Sequence, residues 1–332
     1  MTAHSSPTGW LCLHSLENTL NQSTVDTSTA GLSLDNRGLA YGDGFFTTMG
    51  VIDGQILWLD YHHQRLISHS KALHIELDSD LLLNELQTHA QQLQQGMLKL
   101  IVTRSTQDIR GYGYTPSAFG SACEVWLKPS AMRVDTAEQL RLPDDRFIPL
   151  QPISTAVCLS SQISCLPPTL ARLKTLNRLD NVLASGELQD IKAQIPKLKT
   201  EKSIGEGLLR DMSGQWVEGT MSNVFYQLSE SPCTTSASEK PSTFTHYQDN
   251  ASYLTTGQWY TPSMAQSGVD GVMRQVIIDA LSRTQYPVVI RPLTDEDLPK
   301  LTQTFFCNAL RGVMPMSSLT LLSGEIVRFE SV

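Results

Sequence analysis

Leu170-Ala-Arg-Leu-Lys-Thr-Leu-Asn-Arg-Leu-Asp-Asn-Val182 is the stretch on which the reading of this chain turns. Its lysine, Lys174, stands just ahead of apolar residues at helical spacing: Leu176, Leu179, Val182 and Leu183. Apolar residues three and four apart mark one face of an amphipathic helix. The pattern therefore predicts a helix that packs below an amine and aims it at a site. A lysine taken alone is most often solvated surface, because an unpaired ammonium is rarely buried. Segments elsewhere in the chain weigh against that for Lys174.

The chain has 332 residues, enough to bury a large core and to form two domains. Hydrophobic residues make up 40% and charged residues 17%, the balance of an ordinary globular protein. A net charge of −8 argues against a nucleic-acid partner, which needs a basic face to neutralise phosphates. Met1-Thr-Ala-His-Ser-Ser-Pro7 has neither the basic nor the apolar region of a secretory signal. No apolar run approaches the roughly 20 residues of a membrane span. A cytoplasmic protein without a membrane partner is expected. The six cysteines include no Cys-x-x-Cys pair, and free buried thiols are the expected state. His62-His63 has no second ligand cluster behind it, so no metal site is expected.

Local patterns predict α+β structure in both halves. A first strand is expected within residues 10–16. Strands at 47–51 and 55–59 are expected around Asp53-Gly54, a hairpin dipeptide. Asp60 is placed to cap a following helix with Leu66 and Leu73 on its apolar side, and a second helix is expected over 79–93. Strands at 97–104 and 123–128 flank the glycine-rich Gly111-Tyr-Gly-Tyr114. A break near 129–136 divides a small domain, 1–130, from a larger one, 131–332, that carries Lys174. There strands are expected at 156–159, 204–210, 215–217, 223–228 and 304–307, with a helix over 271–282. Residues 229–250, rich in Ser, Thr, Glu and Pro, read as an exposed loop.

Five segments could carry chemistry with the lysine run. Asp35-Asn-Arg-Gly-Leu-Ala-Tyr-Gly-Asp-Gly-Phe-Phe-Thr47 holds three glycines, Gly38, Gly42 and Gly44, suited to turns or close backbone approach. In His62-His-Gln-Arg-Leu66, Arg65 lies one helical position before Leu66, beside the core face. A guanidinium there can grip a phosphate through two bonds, though by spacing alone a solvated arginine is the commoner outcome. In Trp216-Val-Glu-Gly-Thr-Met-Ser-Asn-Val-Phe225, Glu218 sits where one strand pattern stops and the next has not begun. Gly268-Val-Asp-Gly-Val-Met-Arg-Gln-Val276 opens a helix, whose first N–H groups suit an anion. The last is Phe306-Cys-Asn-Ala-Leu310.

In this order these segments resemble the class IV (fold-type IV) pyridoxal-phosphate enzymes, from about residue 33 to residue 315. The resemblance implies a small N-terminal α+β domain, a larger domain with a barrel-like sheet, and pyridoxal 5′-phosphate between them. It also implies a homodimer acting on a small-molecule substrate. Lys174 is then the cofactor lysine and catalytic base. Arg65 binds the cofactor phosphate together with the amides of Val272, Met273 and Ala309, and Glu218 faces the pyridine nitrogen. Within the family, Lys174-Thr-Leu-Asn-Arg-Leu179 and Cys307-Asn-Ala-Leu310 are most similar to the aminodeoxychorismate lyases. Arg104-Ser-Thr-Gln-Asp-Ile-Arg-Gly-Tyr-Gly-Tyr114 resembles the lyase loop that ends in Arg-Gly-Tyr. On that resemblance Arg110 clamps a substrate carboxylate and Asn308 faces the substrate. The expected reaction converts 4-amino-4-deoxychorismate to 4-aminobenzoate and pyruvate. A branched-chain or D-amino-acid aminotransferase of the same fold is the alternative, and a non-catalytic binding protein is a second. Residues 190–202 and 229–250 look like insertions relative to compact members.

Overall fold

The computed structural model describes residues 9–14, 32–115, 120, 122–194, 203–229 and 253–329. The loop expected at 229–250 lies outside the described residues save for Ser229, as does most of the insertion at 190–202. Two compact units divide the chain: Met1–Asp135 with Arg172–Arg178, and Thr136–Ala171 with Leu179–Val332.

The first unit is an antiparallel sheet of five strands with helices. Strands β1 (Leu11–His14), β2 (Gly44–Ile52), β3 (Gln55–Ile56), β4 (Gly96–Arg104) and β5 (Cys123–Ala131) lie in the order β1-β5-β4-β2-β3. β4 pairs along its whole length with β5, from Gly96 opposite Ala131 to Arg104 opposite Cys123. That pairing carries the first unit past residue 130. Asp53 (φ 50°) and Gly54 (φ 70°) make the β2–β3 turn. Two successive positive φ values are what a two-residue hairpin needs, and Asp-Gly supplies them at low cost.

β3 is shorter than expected. Two residue pairs form, and the chain then turns through Trp58 (φ 60°) into α2 (Leu59–Ala72). Asp60 does not cap this helix. Trp58 stands at the cap position without a side-chain bond, and Asp60 lies in the first turn, where its charge still opposes the helix dipole favourably. α3 (Ser79–Leu93) is capped by Asp78, whose carboxylate accepts from Leu81 N–H at 2.9 Å. Its buried residues Leu82, Leu86 and Ala90 recur every four positions and pack in one core with Leu66 of α2 and Phe45, Met49, Leu98 and Leu100 of the sheet. A short helix α1 (Arg37–Tyr41) precedes β2.

The second unit is built on a ring of six strands: β8 (Ser154–Ile163), β9 (Ile204–Asp211), β10 (Trp216–Gly219), β11 (Asn223–Leu228), β14 (Leu301–Asn308) and β15 (Gly312–Thr320). Each pairs with the next, and β15 returns to β8, so the sheet closes into a barrel. β6 (Glu138–Arg141), β7 (Phe147–Leu150), β12 (Tyr260–Thr261), β13 (Val289–Ile290) and β16 (Ile326–Arg328) extend the sheet beyond the ring. One buried cluster draws on all six ring strands, through Cys158, Leu208, Trp216, Tyr226, Phe306 and Met314. Closure removes the strand edges within the ring and leaves this cluster as its filling.

β8 and β9 are parallel, and their crossover carries α4 (Leu179–Gln194). Lys174 lies ahead of α4 as expected, and α4 corrects the expectation in two ways. Leu176 lies before the helix, its N–H on Gly44 O. Moreover Leu179, Val182 and Leu183 are 78%, 60% and 69% exposed, while Ala184 and Leu188 turn inward onto β8 and β9. Two helical phases fit the sequence, and packing uses the second. Glu187 anchors this face, its carboxylate accepting from the main-chain N–H and the hydroxyl of both Ser160 and Ser161. α5 (Val272–Leu281) is the remaining α-helix of this unit among the described residues, beside two short 3-10 turns at Tyr253–Thr255 and Leu298–Lys300.

Candidate active site

Lys174 groups with the first unit, not with the larger one as the sequence suggested. The reason is main-chain pairing. Its segment forms an antiparallel bridge to the start of β2, Phe45 opposite Thr175. Phe46 N–H donates to Lys174 O at 3.0 Å, and Leu176 N–H donates to Gly44 O at 3.1 Å. Lys174 N–H donates to His69 Nε2 at 2.8 Å. Arg178 reaches back from the far side, Nε donating to Thr175 O at 3.2 Å and Nη2 to Leu173 O. The main chain around the lysine is thereby held by β2, His69 and Arg178. Lys174 Nζ lies 4.7 Å from the centroid of the Phe46 ring.

Arg65, in α2, is buried. Its Nη1 donates to Thr47 Oγ1 at 3.4 Å, and the same hydroxyl is 2.8 Å from His62 Nδ1. Burial, and then the Arg65 charge, hold the His62 pKa well below the usual histidine range. His69 is also buried, and its pKa is held down to about 3, by burial first and then by Arg65, Arg178 and Lys174. Arg65 and Lys174, both selected from sequence, thus act on one imidazole.

Arg110 is exposed, in the segment that follows β4. The glycines beside it are gripped by Arg37, whose Nη1 donates to Gly111 O and Gly113 O at 3.3 and 3.0 Å and whose Nη2 donates to Tyr112 O at 3.1 Å. Asp43 braces this arrangement, its Oδ2 accepting from Arg37 Nε at 2.8 Å and Arg104 Nε at 2.9 Å. Arg104 also lies over the Tyr114 ring at 3.9 Å.

In the second unit Glu218 ends up buried on β10, and its Oε2 accepts from Val269 N–H at 2.9 Å. Gly268 (φ 76°) makes that approach possible: a Cβ there would meet Met264 Sδ at 2.8 Å, Val217 Cγ1 at 2.9 Å and Glu218 Oε2 at 3.0 Å. Asn223, on β11 opposite Glu218, donates through Nδ2 to Val269 O at 2.8 Å. A side chain on Gly271 would overlap Asn223 Oδ1. Gly271 caps α5 without a side-chain bond, and Val272 and Met273 follow in its first turn. Buried Glu206 fixes the turn after Glu218, accepting from Thr220 N–H at 3.1 Å, Thr220 Oγ1 at 2.6 Å and Ser222 Oγ at 2.6 Å. At the β14–β15 turn, Asn308 Oδ1 accepts from Leu310 N–H at 3.1 Å and Arg311 N–H at 2.8 Å, with Ala309 between. Its Nδ2 donates to Met221 O at 3.4 Å. Turn formation therefore occupies the Asn308 oxygen.

Glu218, Gly268, Asn223, Gly271 and the start of α5 come together within the second unit. Arg65, Lys174, His62 and His69 do so within the first. Within the first unit a buried guanidinium accompanies an anchored lysine, and within the second a buried carboxylate accompanies a glycine-capped helix start; each is a group of the kind a phosphorylated pyridine needs. Sequence reasoning did not select His69, Arg37 or Glu206. Arg37 lay inside a segment read for its glycines. Glu206 lay in a strand pattern, where a buried carboxylate breaks the apolar run and could have been singled out.

Comparison with known proteins agrees with this geometry. A family model described as amino-transferase class IV matches residues 44–319. The chain belongs to this family, and its fold is fold-type IV. The family depends on pyridoxal 5′-phosphate. Among its relatives, a Methanocaldococcus jannaschii protein provisionally named a branched-chain-amino-acid aminotransferase is 26% identical over 322 residues, 94% of this chain and 90% of that one. An aminodeoxychorismate lyase of Vibrio harveyi is 23% identical over 294 residues, 88% of this chain and 89% of that one. The crystal structure of 4-amino-4-deoxychorismate lyase from Pseudomonas aeruginosa superposes with a TM-score of 0.65, at 28% identity, over 91% of each chain.

Proposed function

We propose that the protein is a pyridoxal-phosphate-dependent 4-amino-4-deoxychorismate lyase, releasing 4-aminobenzoate and pyruvate in folate biosynthesis. The observation that carries the lyase branch is the grip of Arg37 on the carbonyls of Gly111, Tyr112 and Gly113, which fixes the loop bearing Arg110. A positive group beside a restrained loop suits a substrate with two carboxylates better than an apolar side-chain pocket would. The 28% identity to the Pseudomonas aeruginosa lyase supports the same branch.

Each residue has a task in this reading. Arg65 and the amides of Val272, Met273 and Ala309 bind the phosphate. Pyridoxal 5′-phosphate, when bound, supplies an electron-accepting ring for the charge left as a carbon–hydrogen bond beside an amine breaks. Glu218, held by Val269 N–H, keeps the pyridine nitrogen protonated. Lys174 Nζ takes the proton from the amine-bearing carbon and returns one to the departing enolpyruvyl group. A lysine with the ordinary pKa of about 10.4 is a weak base at neutral pH. Burial in a closed site favours the free amine over the ammonium. Arg110, and Nδ2 of Asn308, are assigned to the substrate.

The test offers aminodeoxychorismate and follows 4-aminobenzoate, in parallel with amino transfer from leucine or D-alanine to 2-oxoglutarate. Fast transfer with no 4-aminobenzoate moves the protein to the aminotransferase branch, which the 26% identity to the Methanocaldococcus jannaschii protein favours. We further infer a homodimer, checked by sedimentation, and a cytoplasmic location. Among the described residues no helix is long and apolar enough to cross a membrane.

A further inference from the structure

We propose that His69 is a positioning residue that sets the main chain of Lys174, acting as a hydrogen-bond acceptor for its amide. The inference rests on Lys174 being the cofactor lysine.

The geometry assigns the tautomer. Lys174 N–H is a donor, so Nε2 of His69, at 2.8 Å, must be bare. The ring proton of the neutral imidazole then sits on Nδ1, which donates to Ser68 Oγ at 3.1 Å. The ring is seated from the sheet as well, packed edge-on to Phe45 at 5.4 Å between centroids with planes 62° apart. Phe45 pairs with Thr175 on one side of the lysine, and Phe46, its neighbour, underlies Nζ. His69 is therefore tied to the lysine segment through its acceptor nitrogen and through the strand that carries the segment.

The chemistry explains why an imidazole suits this place. Burial disfavours its protonation first, and the charges acting on it, Arg65, Arg178 and Lys174, are all positive and add to that. A second ring proton would have no acceptor here and would oppose the Lys174 N–H donor directly. Neutral histidine stays an acceptor throughout the working pH range. A carboxylate could also accept from the amide, but its charge would stabilise the ammonium form of Lys174 and oppose its use as a base. His69 holds the amide without that charge.

The experiment uses the full chain loaded with pyridoxal 5′-phosphate and two amide variants, His69→Gln and His69→Asn. Both are neutral, but only glutamine carries its oxygen to the position of Nε2. The readouts are the rate of borohydride fixation of cofactor to Lys174, mapped by peptide mass, together with kcat, KM and thermal melting. Native protein is mapped first: a label on another lysine overturns the cofactor-lysine reading and this proposal with it. With the label on Lys174, the expected result is that His69→Gln stays within about threefold of native in fixation and kcat, while His69→Asn falls at least tenfold in both with little change in KM. A tenfold fall corresponds to about 1.4 kcal/mol, the scale of one buried hydrogen bond. Should His69→Asn fail to fold, His69→Met takes its place, because it fills the volume without a comparable acceptor. Equal behaviour of the acceptor and non-acceptor variants, whether both native-like or both impaired, overturns the proposal while leaving Lys174 as the cofactor lysine.

Discussion

Gly268→Ala tests whether the buried Glu218 carboxylate is placed by its surroundings, without touching the carboxylate itself. Two costs arise. Gly268 has φ 76°, a region that costs an ordinary residue about 1–2 kcal/mol. The added methyl would also sit 2.8 Å from Met264 Sδ, 2.9 Å from Val217 Cγ1 and 3.0 Å from Glu218 Oε2. Crowding of a packed interior adds about 1–3 kcal/mol. Gly214→Ala is the control: its φ is 90°, and nothing lies within 4 Å of the added methyl. It should lose only the backbone share, about 1–2 kcal/mol, whereas Gly268→Ala should lose about 2–5 kcal/mol. Urea unfolding of both variants measures the difference. Relief of the crowding moves either the Val269 loop or Glu218, so turnover should fall at least tenfold in Gly268→Ala, the scale of a misplaced catalytic group. Gly214→Ala should keep native turnover. Equal unfolding midpoints, or native turnover in Gly268→Ala, would refute the claim that this glycine sets the Glu218 site.

Glu218→Gln should keep cofactor but lower kcat about 10²-fold or more, the scale of one preorganised electrostatic partner; wild-type kcat at saturating cofactor would remove Glu218 from the reaction. Arg65→Ala should weaken cofactor affinity by about 1.5–3 kcal/mol, the cost of a lost charged hydrogen bond, read from a cofactor titration. Arg110→Ala should raise KM for aminodeoxychorismate by a comparable free energy and leave the cofactor spectrum unchanged. Acid should destabilise the fold through histidine. His69 titrates near 3 when folded and near 6.5 when unfolded, so the unfolded chain binds more protons between those values. Stability is then full above about pH 6.5 and falls by about 1.4 kcal/mol per pH unit for each such group as pH drops. His62, held low by burial, adds to the slope. Urea midpoints between pH 7 and 4.5 should show this slope, and it should be shallower in His69→Gln.

Elements with one dominant local signal were legible from sequence. The helix expected over 79–93 formed there as α3, and Asp53-Gly54 marked its hairpin. The strand Asn223–Leu228 was likewise read in full. Trp58 shows the limit: no local rule predicts a tryptophan at φ 60° at a helix start, and the neighbouring Asp60 attracted the cap assignment. Ring closure was not readable as pairing either. It depends on β11 meeting β14 and on β15 returning to β8, contacts between residues far apart in sequence. The motif residues were recognisable one at a time, but their partners were not. Nothing in His62-His-Gln-Arg-Leu-Ile-Ser-His69 tells which histidine will meet Lys174, because that bond joins residues 105 positions apart.

The lysine run shows how a motif can be recognised while its local mechanics are misread. Apolar spacing suggested an amine carried at the mouth of a helix, steadied by Leu179, Val182 and Leu183. Those side chains are exposed, and α4 begins five positions after the lysine. What steadies Lys174 is β-type pairing with Gly44 and Phe46, with His69 and Arg178 closing the remaining sides. The difference has chemical weight. A lysine at a helix start would share the freedom of a fraying terminus, whose amides exchange partners with water. An extended segment hydrogen-bonded to a sheet, with its own amide on a buried imidazole, has little such freedom. If the amine is to serve as a base in a defined geometry, the anchor must restrict the main chain and leave the side-chain torsions free. Gly42 contributes from the opposite side: at φ 65° its carbonyl accepts from Asn177 Nδ2 at 3.2 Å, and a side chain on Gly42 would overlap the Asn177 amide. The glycine-rich Asp35–Gly44 stretch and the lysine run, 130 residues apart in the chain, are therefore complementary halves of one clamp.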